Sequence, residues 1–134
     1  IPGLQIDNVQ NRLENLHRKP FVRNRNTQNM VEQQTAINTV KRFAEAVKKQ
    51  GVQLRAVFLF GSYARGEQHE WSDIDVALVA DEFIGVGFED IKRFVDVTIQ
   101  KPYILIEPHT FNTSEFEKGN PFVDEIRRTG IPIA

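Results

Sequence analysis

The sequence contains no cysteine among its 134 residues. This absence excludes disulfides, thiolate nucleophiles and zinc sites built on cysteine, and it fits a reducing cytosol. A bound metal would therefore need oxygen or imidazole ligands.

Long apolar runs are also missing. The longest uninterrupted stretches, such as residues 56–60, have the length of a strand, far below the roughly 20 residues needed to cross a bilayer. The first residues lack the charged start, apolar middle and small-residue cleavage site of a secretory signal. We therefore expect no membrane association and a cytoplasmic location.

Basic residues are outnumbered by acidic ones in residues 30–134, the part of the chain that we expect to form the domain. Residues 1–29 hold five Lys/Arg against two Asp/Glu, whereas residues 30–134 hold twelve against sixteen. A domain that grips long nucleic acid through its phosphates usually carries a basic stripe, and residues 30–134 show none. This pattern argues against a template-bound polymerase and against stable binding of long nucleic acid.

The one methionine, Met30, stands just before the first strongly periodic segment. A chain of this length supports a single hydrophobic core rather than two ordinary domains. We expect residues 30–134 to form that domain. Residues 1–29 are then a leader, an extension or an N-terminal arm outside it, and the Asn/Gln/Arg-rich run 23–29 is typical of a loop or linker.

Apolar residues recur at helical spacing in two segments. Residues 31–50 predict an amphipathic helix that ends at Gly51. Residues 88–99 predict a second helix. Its inward-facing side chains are Phe88, Ile91, Phe94 and Val95.

Two asparagines have the sequence context of helix caps. Asn112 precedes a short helical turn with Glu115 at the third helical position. Asn120 is followed by Pro121, a residue favoured at the first position of a helix, and Gly130 closes that helix. The sequence therefore predicts a short helical turn after Asn112 and a helix that ends at residue 128.

Three short runs rich in β-branched and aromatic residues predict strands. They span residues 55–60, 74–80 and 103–107. The first stops at a Gly-Ser pair, and the third stops at Pro108. The first two are apolar enough to be buried.

Asp73 and Asp75 stand one residue apart at the start of the second predicted strand. Side chains alternate along a strand, so these carboxylates point the same way while Ile74 enters the core. Like charges that close resist joint ionisation unless cations neutralise them. Mg²⁺ is the natural partner, because hard cations with oxygen ligands bridge carboxylates to phosphates.

Gly61 and Ser62 follow the first predicted strand. Gly61 permits a sharp turn and the close approach of a phosphate. Backbone N–H groups at the start of a helix opened by Ser62, with its hydroxyl and Arg65, could hold the phosphates of a nucleoside triphosphate. Ser62 as a simple helix cap, and Arg65 as a partner of Glu67 or Glu70, are the alternatives.

Together these residues read Gly61-Ser62, ten residues, then Asp73-x-Asp75, with Arg65-Gly66 between them. This pattern resembles the signature of the minimal nucleotidyltransferase domain in the DNA polymerase β-like nucleotidyltransferase superfamily. The resemblance covers residues 30–134. Gly-Ser or Asp-x-Asp alone is common by chance, but the two at this spacing between buried strands are specific.

The resemblance implies an α/β fold of the α+β type, with a mixed β-sheet flanked by helices like the polymerase β palm. It also implies transfer of a nucleoside monophosphate from a nucleoside triphosphate to a hydroxyl of a protein or small molecule. Two Mg²⁺ ions would be bound by Asp73 and Asp75, and the triphosphate by Gly61, Ser62 and Arg65.

A third metal-binding carboxylate is expected from a later strand in this family, and Glu107 is our choice. It ends the third predicted strand, although many relatives have aspartate there. Asp96 is the alternative if residues 88–99 do not form a helix. His69 and His109 are predicted to be ordinary polar loop residues rather than ligands.

Domains of this size in the family are often encoded beside a HEPN-domain partner and act as the antitoxin half of the pair. The resemblance therefore implies a HEPN-domain protein as a partner. A catalytically silent nucleotidyltransferase-fold subunit that only binds protein is the alternative function. The acceptor, the base preference and the oligomeric state, including a homo-oligomer, stay open.

Overall fold

The computed structural model describes residues 25–134, with side chains from Thr27 onward. Residues Glu32–Ala134 make one compact unit built on a four-stranded sheet. The fold is a mixed sheet flanked by helices, as expected from the sequence. No helix in this part of the chain has both the length and the apolar character to cross a membrane.

Six α-helices and two 3₁₀ turns surround the sheet in the described region. The helices are α1 (Arg25–Lys49), α2 (Ser62–Arg65), α3 (Gly87–Asp90), α4 (Val95–Thr98), α5 (Thr113–Lys118) and α6 (Pro121–Thr129), and the 3₁₀ turns are Ile91–Arg93 and Lys101–Tyr103. The strands are β1 (Leu54–Phe60), β2 (Ile74–Ala80), β3 (Ile106–Asn112) and β4 (Ile131–Pro132).

The strand order is β3-β2-β1-β4. β1 pairs antiparallel with both β2 and β4, while β2 and β3 run parallel. The register places Asp75 opposite Phe60 of β1 on one side and opposite Glu107 of β3 on the other. The first residues of β2 and β3 and the last residue of β1 therefore meet at one end of the sheet.

Both faces of the sheet are covered by apolar side chains. One face packs on α1. The other packs on α5 and α6 through Phe60, Ala77 and Val79, against Phe116, Val123 and Ile126. Since alternate residues of a strand share a face, Asp75 lies on the α5–α6 side with Ala77 and Val79.

β3 differs from the predicted strand 103–107, which was wrong in both bounds. The strand begins at Ile106 and continues through Pro108 to Asn112. β3 is an edge strand, and an edge strand tolerates proline because the N–H that proline lacks is not needed for a hydrogen bond to a neighbouring strand. Tyr103 belongs instead to a 3₁₀ turn, where its ring packs edge-on against Phe43 at 5.4 Å.

The predicted helix 88–99 is broken into α3, a 3₁₀ turn and α4. Phe88 and Val95, expected to face inward, are 72% and 45% exposed, whereas Phe94 is buried. The helical backbone is interrupted at Phe94, which has φ −145° and ψ 26°. Asp90, before this break, keeps helical dihedrals, and its buried carboxylate accepts hydrogen bonds from outside the helix. Its donors are Ile84 N, Gly85 N and Thr110 Oγ1, at 2.9, 2.8 and 2.7 Å.

The first helix begins earlier than the predicted residue 31. Residues 25–29 belong to α1 rather than to a loop. Three of these five residues are Asn or Thr, which are weak helix formers, so the helix continues through them because it is already formed further along the chain. Residues 1–24, with most of the predicted extension, lie outside the described part. Both asparagine caps are confirmed: Asn112 accepts from Ser114 N and Glu115 N, and Asn120 accepts from Val123 N.

Candidate active site

The turn after β1 and the carboxylate of Asp75 are in direct contact. Gly61 has φ 78° and ψ −153°, a conformation that is essentially restricted to glycine. A Cβ on Gly61 would overlap Oδ2 of Asp75. Glycine at this position therefore permits both the turn and the close approach of the carboxylate.

The short helix α2 starts directly after this turn. Gly61 is its N-cap, and the carbonyl of Gly61 accepts from Ala64 N and Arg65 N at 3.1 and 3.2 Å. Ser62 is thus the first helical residue and not the cap, which rules out the simple capping alternative. The amides of Ser62 and Tyr63 come before the first intrahelical bonds, so helix geometry gives them no acceptor within α2.

The other end of α2 is tied to α1. Gln33 Nε2 donates to the carbonyl oxygens of Tyr63 and Ala64 at 2.8 and 3.2 Å. Burial raises the pKa of the Tyr63 phenol, and the charge of Glu32 raises it further. Tyr63 and Ile74 help to line a cavity of about 300 Å³ beside α1, on the opposite face of β2 from Asp75.

Three potential metal ligands converge where β2 and β3 begin. One ligand atom each from Asp75, Glu107 and His109 lie within 4.8 Å of one another. The parallel register explains the grouping, since Asp75 pairs with Glu107 and His109 follows two residues later on the same face. Asp75 and His109 are partly buried, whereas Glu107 is exposed.

The other predicted site residues have different surroundings. Asp73 is exposed just before β2, and among the described residues it is not part of the three-ligand group. Asp96 is exposed in the first turn of α4 and also lies outside the group. Arg65 donates through Nε to Glu67 Oε1 at 3.0 Å, which is one of the alternatives for this residue.

Sequence reasoning missed His109, which was expected to be an ordinary loop residue. It lies in β3, and its Nε2 is 3.4 Å from Asp75 Oδ1. Its ring packs edge-on against Phe60, with 5.0 Å between the ring centroids, and its centroid is 6.3 Å from that of Phe122. A strand extended past Pro108 would have revealed it, because His109 then shares a face with Glu107.

The donor set fits a divalent cation. Two carboxylates and an imidazole are recognised ligands of such ions. The carboxylate of Asp75 lies against the turn at Gly61. A divalent cation bound by this group would therefore lie close to that turn.

Comparison with known proteins identifies the class. The family model of the nucleotidyltransferase domain matches residues 40–129, and the chain belongs to this family. The family-level resemblance drawn from the Gly-Ser and Asp-x-Asp pattern is thereby confirmed.

Two relatives come from Methanocaldococcus jannaschii, and both carry the name "Putative protein adenylyltransferase". The first is 44% identical over 60 residues, covering 45% of this chain and 60% of the relative. The second is 46% identical over 43 residues, covering 31% of this chain and 43% of the relative. The chain thus spans less than two thirds of the length of each.

One solved structure supports the fold. A crystal structure titled as a "putative nucleotidyltransferase" from Sulfolobus solfataricus superposes with a TM-score of 0.56 at 20% identity, covering 78% of this chain and 84% of that one. A toxin-antitoxin crystal structure with AMP-PNP gives a TM-score of 0.48 at 18% identity, covering 73% of this chain and 72% of that one.

Proposed function

We propose that this domain is a Mg²⁺-dependent nucleotidyltransferase that moves a nucleoside monophosphate from a nucleoside triphosphate to a hydroxyl group. The observation that carries the proposal is the contact of Asp75 with Gly61, with Glu107 beside Asp75 in the neighbouring strand. This contact joins a metal-binding carboxylate to a turn suited to phosphates.

Asp75 and Glu107 would bind the metal. Asp73, which directly precedes the first residue of β2, would be a further ligand. The bound cation supplies neutralisation of the triphosphate charge and polarisation of the reacting phosphorus centre. The pairing of β2 with β3 would keep the carboxylates of Asp75 and Glu107 in a fixed position relative to the turn at Gly61.

The amides of Ser62 and Tyr63 and the Ser62 hydroxyl would bind the phosphates. Arg65 would contribute positive charge after leaving its exposed pair with Glu67, and such pairs are weak. These contacts would position the α-phosphorus for in-line attack.

In the reaction, the acceptor oxygen forms a bond to the α-phosphorus while the bond to the β-phosphate oxygen breaks and pyrophosphate leaves. The proton of the acceptor hydroxyl passes to the Glu107 carboxylate. Glu107 suits this role because its side chain is exposed and reachable by an acceptor from solvent.

The relatives' names support ATP as the donor and a protein as the acceptor. A HEPN-domain protein is our proposed acceptor or binding partner, on the family resemblance alone. Modification of a co-expressed partner and masking of it by binding are separable, since only modification changes the partner's mass.

The proposal is tested by incubating the chain with each labelled nucleoside triphosphate, Mg²⁺ and candidate partner proteins, followed by intact-mass analysis. We expect the acceptor to gain the mass of one nucleoside monophosphate. Asp75→Asn should abolish the gain, whereas Asp96→Asn, which changes an exposed carboxylate outside the three-ligand group, should retain it. Binding of the partner without any gain in mass, in wild type and both variants, would favour the catalytically silent subunit.

A further inference from the structure

We propose that His109 is itself a ligand of the metal bound by Asp75 and Glu107, and that its imidazole shifts the site's preference from Mg²⁺ toward Mn²⁺. The inference rests on the proposed function only in using the same metal site. It adds a nitrogen donor to a site that sequence reasoning built from carboxylates alone.

The distances fit ligands around one cation. His109 Nε2 and Asp75 Oδ1 are 3.4 Å apart, which is long for an N–H···O bond with its usual distance of about 2.9–3.0 Å. Two ligand atoms about 2.1 Å from one ion are about 3.0 Å apart at a right angle and about 4.2 Å apart when opposite. A spacing of 4.8 Å, the upper limit in the group, would have to close by about 0.6 Å for ligands on opposite sides of the ion and by about 1.8 Å for ligands at a right angle.

The imidazole is held in this direction by its neighbours. The centroid of its ring lies 5.0 Å from that of Phe60 and 6.3 Å from that of Phe122, and the two phenyl rings also contact each other at 5.7 Å. A side chain packed against a pair of aromatic rings has lost part of its rotamer freedom before any ligand arrives. The conformational entropy lost when the His109 side chain binds a metal is correspondingly small.

The two oxygens of Asp75 have different surroundings. Oδ2 lies against Gly61 and the phosphate turn, whereas Oδ1 faces His109. An ion bound through Oδ1 would therefore also lie near the imidazole. This division assigns His109 to the Oδ1 side of the carboxylate.

Imidazole changes which metals the site accepts. Mg²⁺ favours oxygen ligands and dehydrates reluctantly. First-row transition metals accept imidazole nitrogen more readily than Mg²⁺ does, and their affinity for nitrogen-containing sites rises from Mn²⁺ to Cu²⁺ and falls again at Zn²⁺. A group of two carboxylates and one imidazole should therefore bind Mn²⁺ more tightly than Mg²⁺.

The test is titration of the full chain with Mn²⁺ alone, followed by electron paramagnetic resonance, with spin-echo modulation to detect ¹⁴N bound to the ion. We expect ¹⁴N coupling in the wild type. His109→Gln should lose the coupling and weaken Mn²⁺ binding about tenfold or more. Its affinity for Mg²⁺, measured by competition, should change much less.

His69→Gln is the matched control, because His69 is an exposed histidine outside the three-ligand group. It should keep both the coupling and the affinity. Circular dichroism checks that the His109→Gln chain is folded. Absence of ¹⁴N coupling in the wild type, or its persistence in His109→Gln, would overturn the inference.

The two proposals fail separately. Nucleotide transfer in Mg²⁺ by a wild type that shows no ¹⁴N coupling overturns the role of His109 and leaves the proposed function standing. Coupling that depends on His109, in a chain that transfers no nucleotide, supports the metal ligand and overturns the transferase.

Discussion

At the scale of single residues, the candidate site depends on how closely Gly61 and Asp75 approach each other. The positive φ of Gly61 and its contact with Oδ2 of Asp75 are separate constraints, and both exclude a side chain. Gly51 offers a comparison, since it also has a positive φ but has open space where a Cβ would be.

Gly61→Ala should therefore do more damage than Gly51→Ala. Both variants should lose about 1–3 kcal/mol of unfolding free energy from backbone strain. Only Gly61→Ala should also displace Asp75 and weaken binding of Mg²⁺ and ATP by at least about tenfold, as measured by calorimetric titration. Equal nucleotide binding by the two variants would contradict the contact's role.

Asp81 gives a residue-scale prediction away from the site, at the far end of β2. Its carboxylate accepts from Arg55 Nη2 at 2.7 Å, and this bond lowers the pKa of Asp81. A carboxyl whose pKa is lowered by folding stabilises the protein above its unfolded value of about 3.9, and the effect is lost as pH falls through the folded value.

Asp81→Asn should consequently unfold at a lower urea concentration than the wild type at pH 7. The difference should be small, because both partners are exposed. It should shrink as the pH is lowered below about 3.9. Urea unfolding of both chains at several pH values measures it, and a difference that grows on acidification would refute the assignment.

At the scale of elements, β3 decides the composition of the candidate site. Because it runs parallel to β2 from Ile106, Glu107 comes beside Asp75 and His109 follows on the same face. β3 is also tied to α3 through Thr110, whose hydroxyl donates to the buried Asp90. Asp90 in turn accepts from the amides of Ile84 and Gly85 in the loop after β2.

Asp90→Ala should cost about 2–4 kcal/mol, since it removes a carboxylate that satisfies three donors and leaves those donors unpaired. Thr110→Val removes only one of the donors and should cost about 1 kcal/mol. Equilibrium urea unfolding measures both variants. A loss below about 0.5 kcal/mol for Asp90→Ala would show that the loop does not depend on this carboxylate.

Elements governed by local chemistry could be predicted from the sequence, and those governed by tertiary context could not. The asparagine caps at Asn112 and Asn120 depend on neighbouring residues alone, and both were predicted correctly. The continuation of β3 through Pro108 depends on its edge position, which no local pattern reveals. The grouping of Glu107 with His109 was missed for the same reason.

At the scale of the whole molecule, one short segment linking two adjacent strands carries the family signature, and the sheet completes the site around it. The apolar cores on both faces keep β1, β2 and β3 in fixed register. The signature at Gly61-Ser62 and Asp73-x-Asp75 was sufficient to predict the family. The partner of Asp75 across the sheet is a long-range property of strand pairing, and the sequence alone could only propose it.

The core on the α1 side should supply much of the stability on which the site depends. Phe43 is fully buried, and its ring meets Phe94 and Tyr103 edge-on at 6.2 and 5.4 Å. Phe43→Ala should cost about 3–5 kcal/mol in urea unfolding, because it removes these contacts and leaves a cavity. A cost below about 1 kcal/mol would contradict this packing.

The most direct test of the central claim is the melting temperature of the wild type and of Asp75→Asn, each measured with and without Mg²⁺ and ATP. A ligand at one hundred times its dissociation constant stabilises the folded state by about 2.7 kcal/mol, which for a domain of this size is a rise on the order of 10 °C. We predict such a rise in the wild type, only when Mg²⁺ and ATP are both present, and none in Asp75→Asn. An equal rise in both chains, or none in the wild type at millimolar ligand, would contradict the claim that Asp75 joins a metal to a triphosphate at the Gly61 turn.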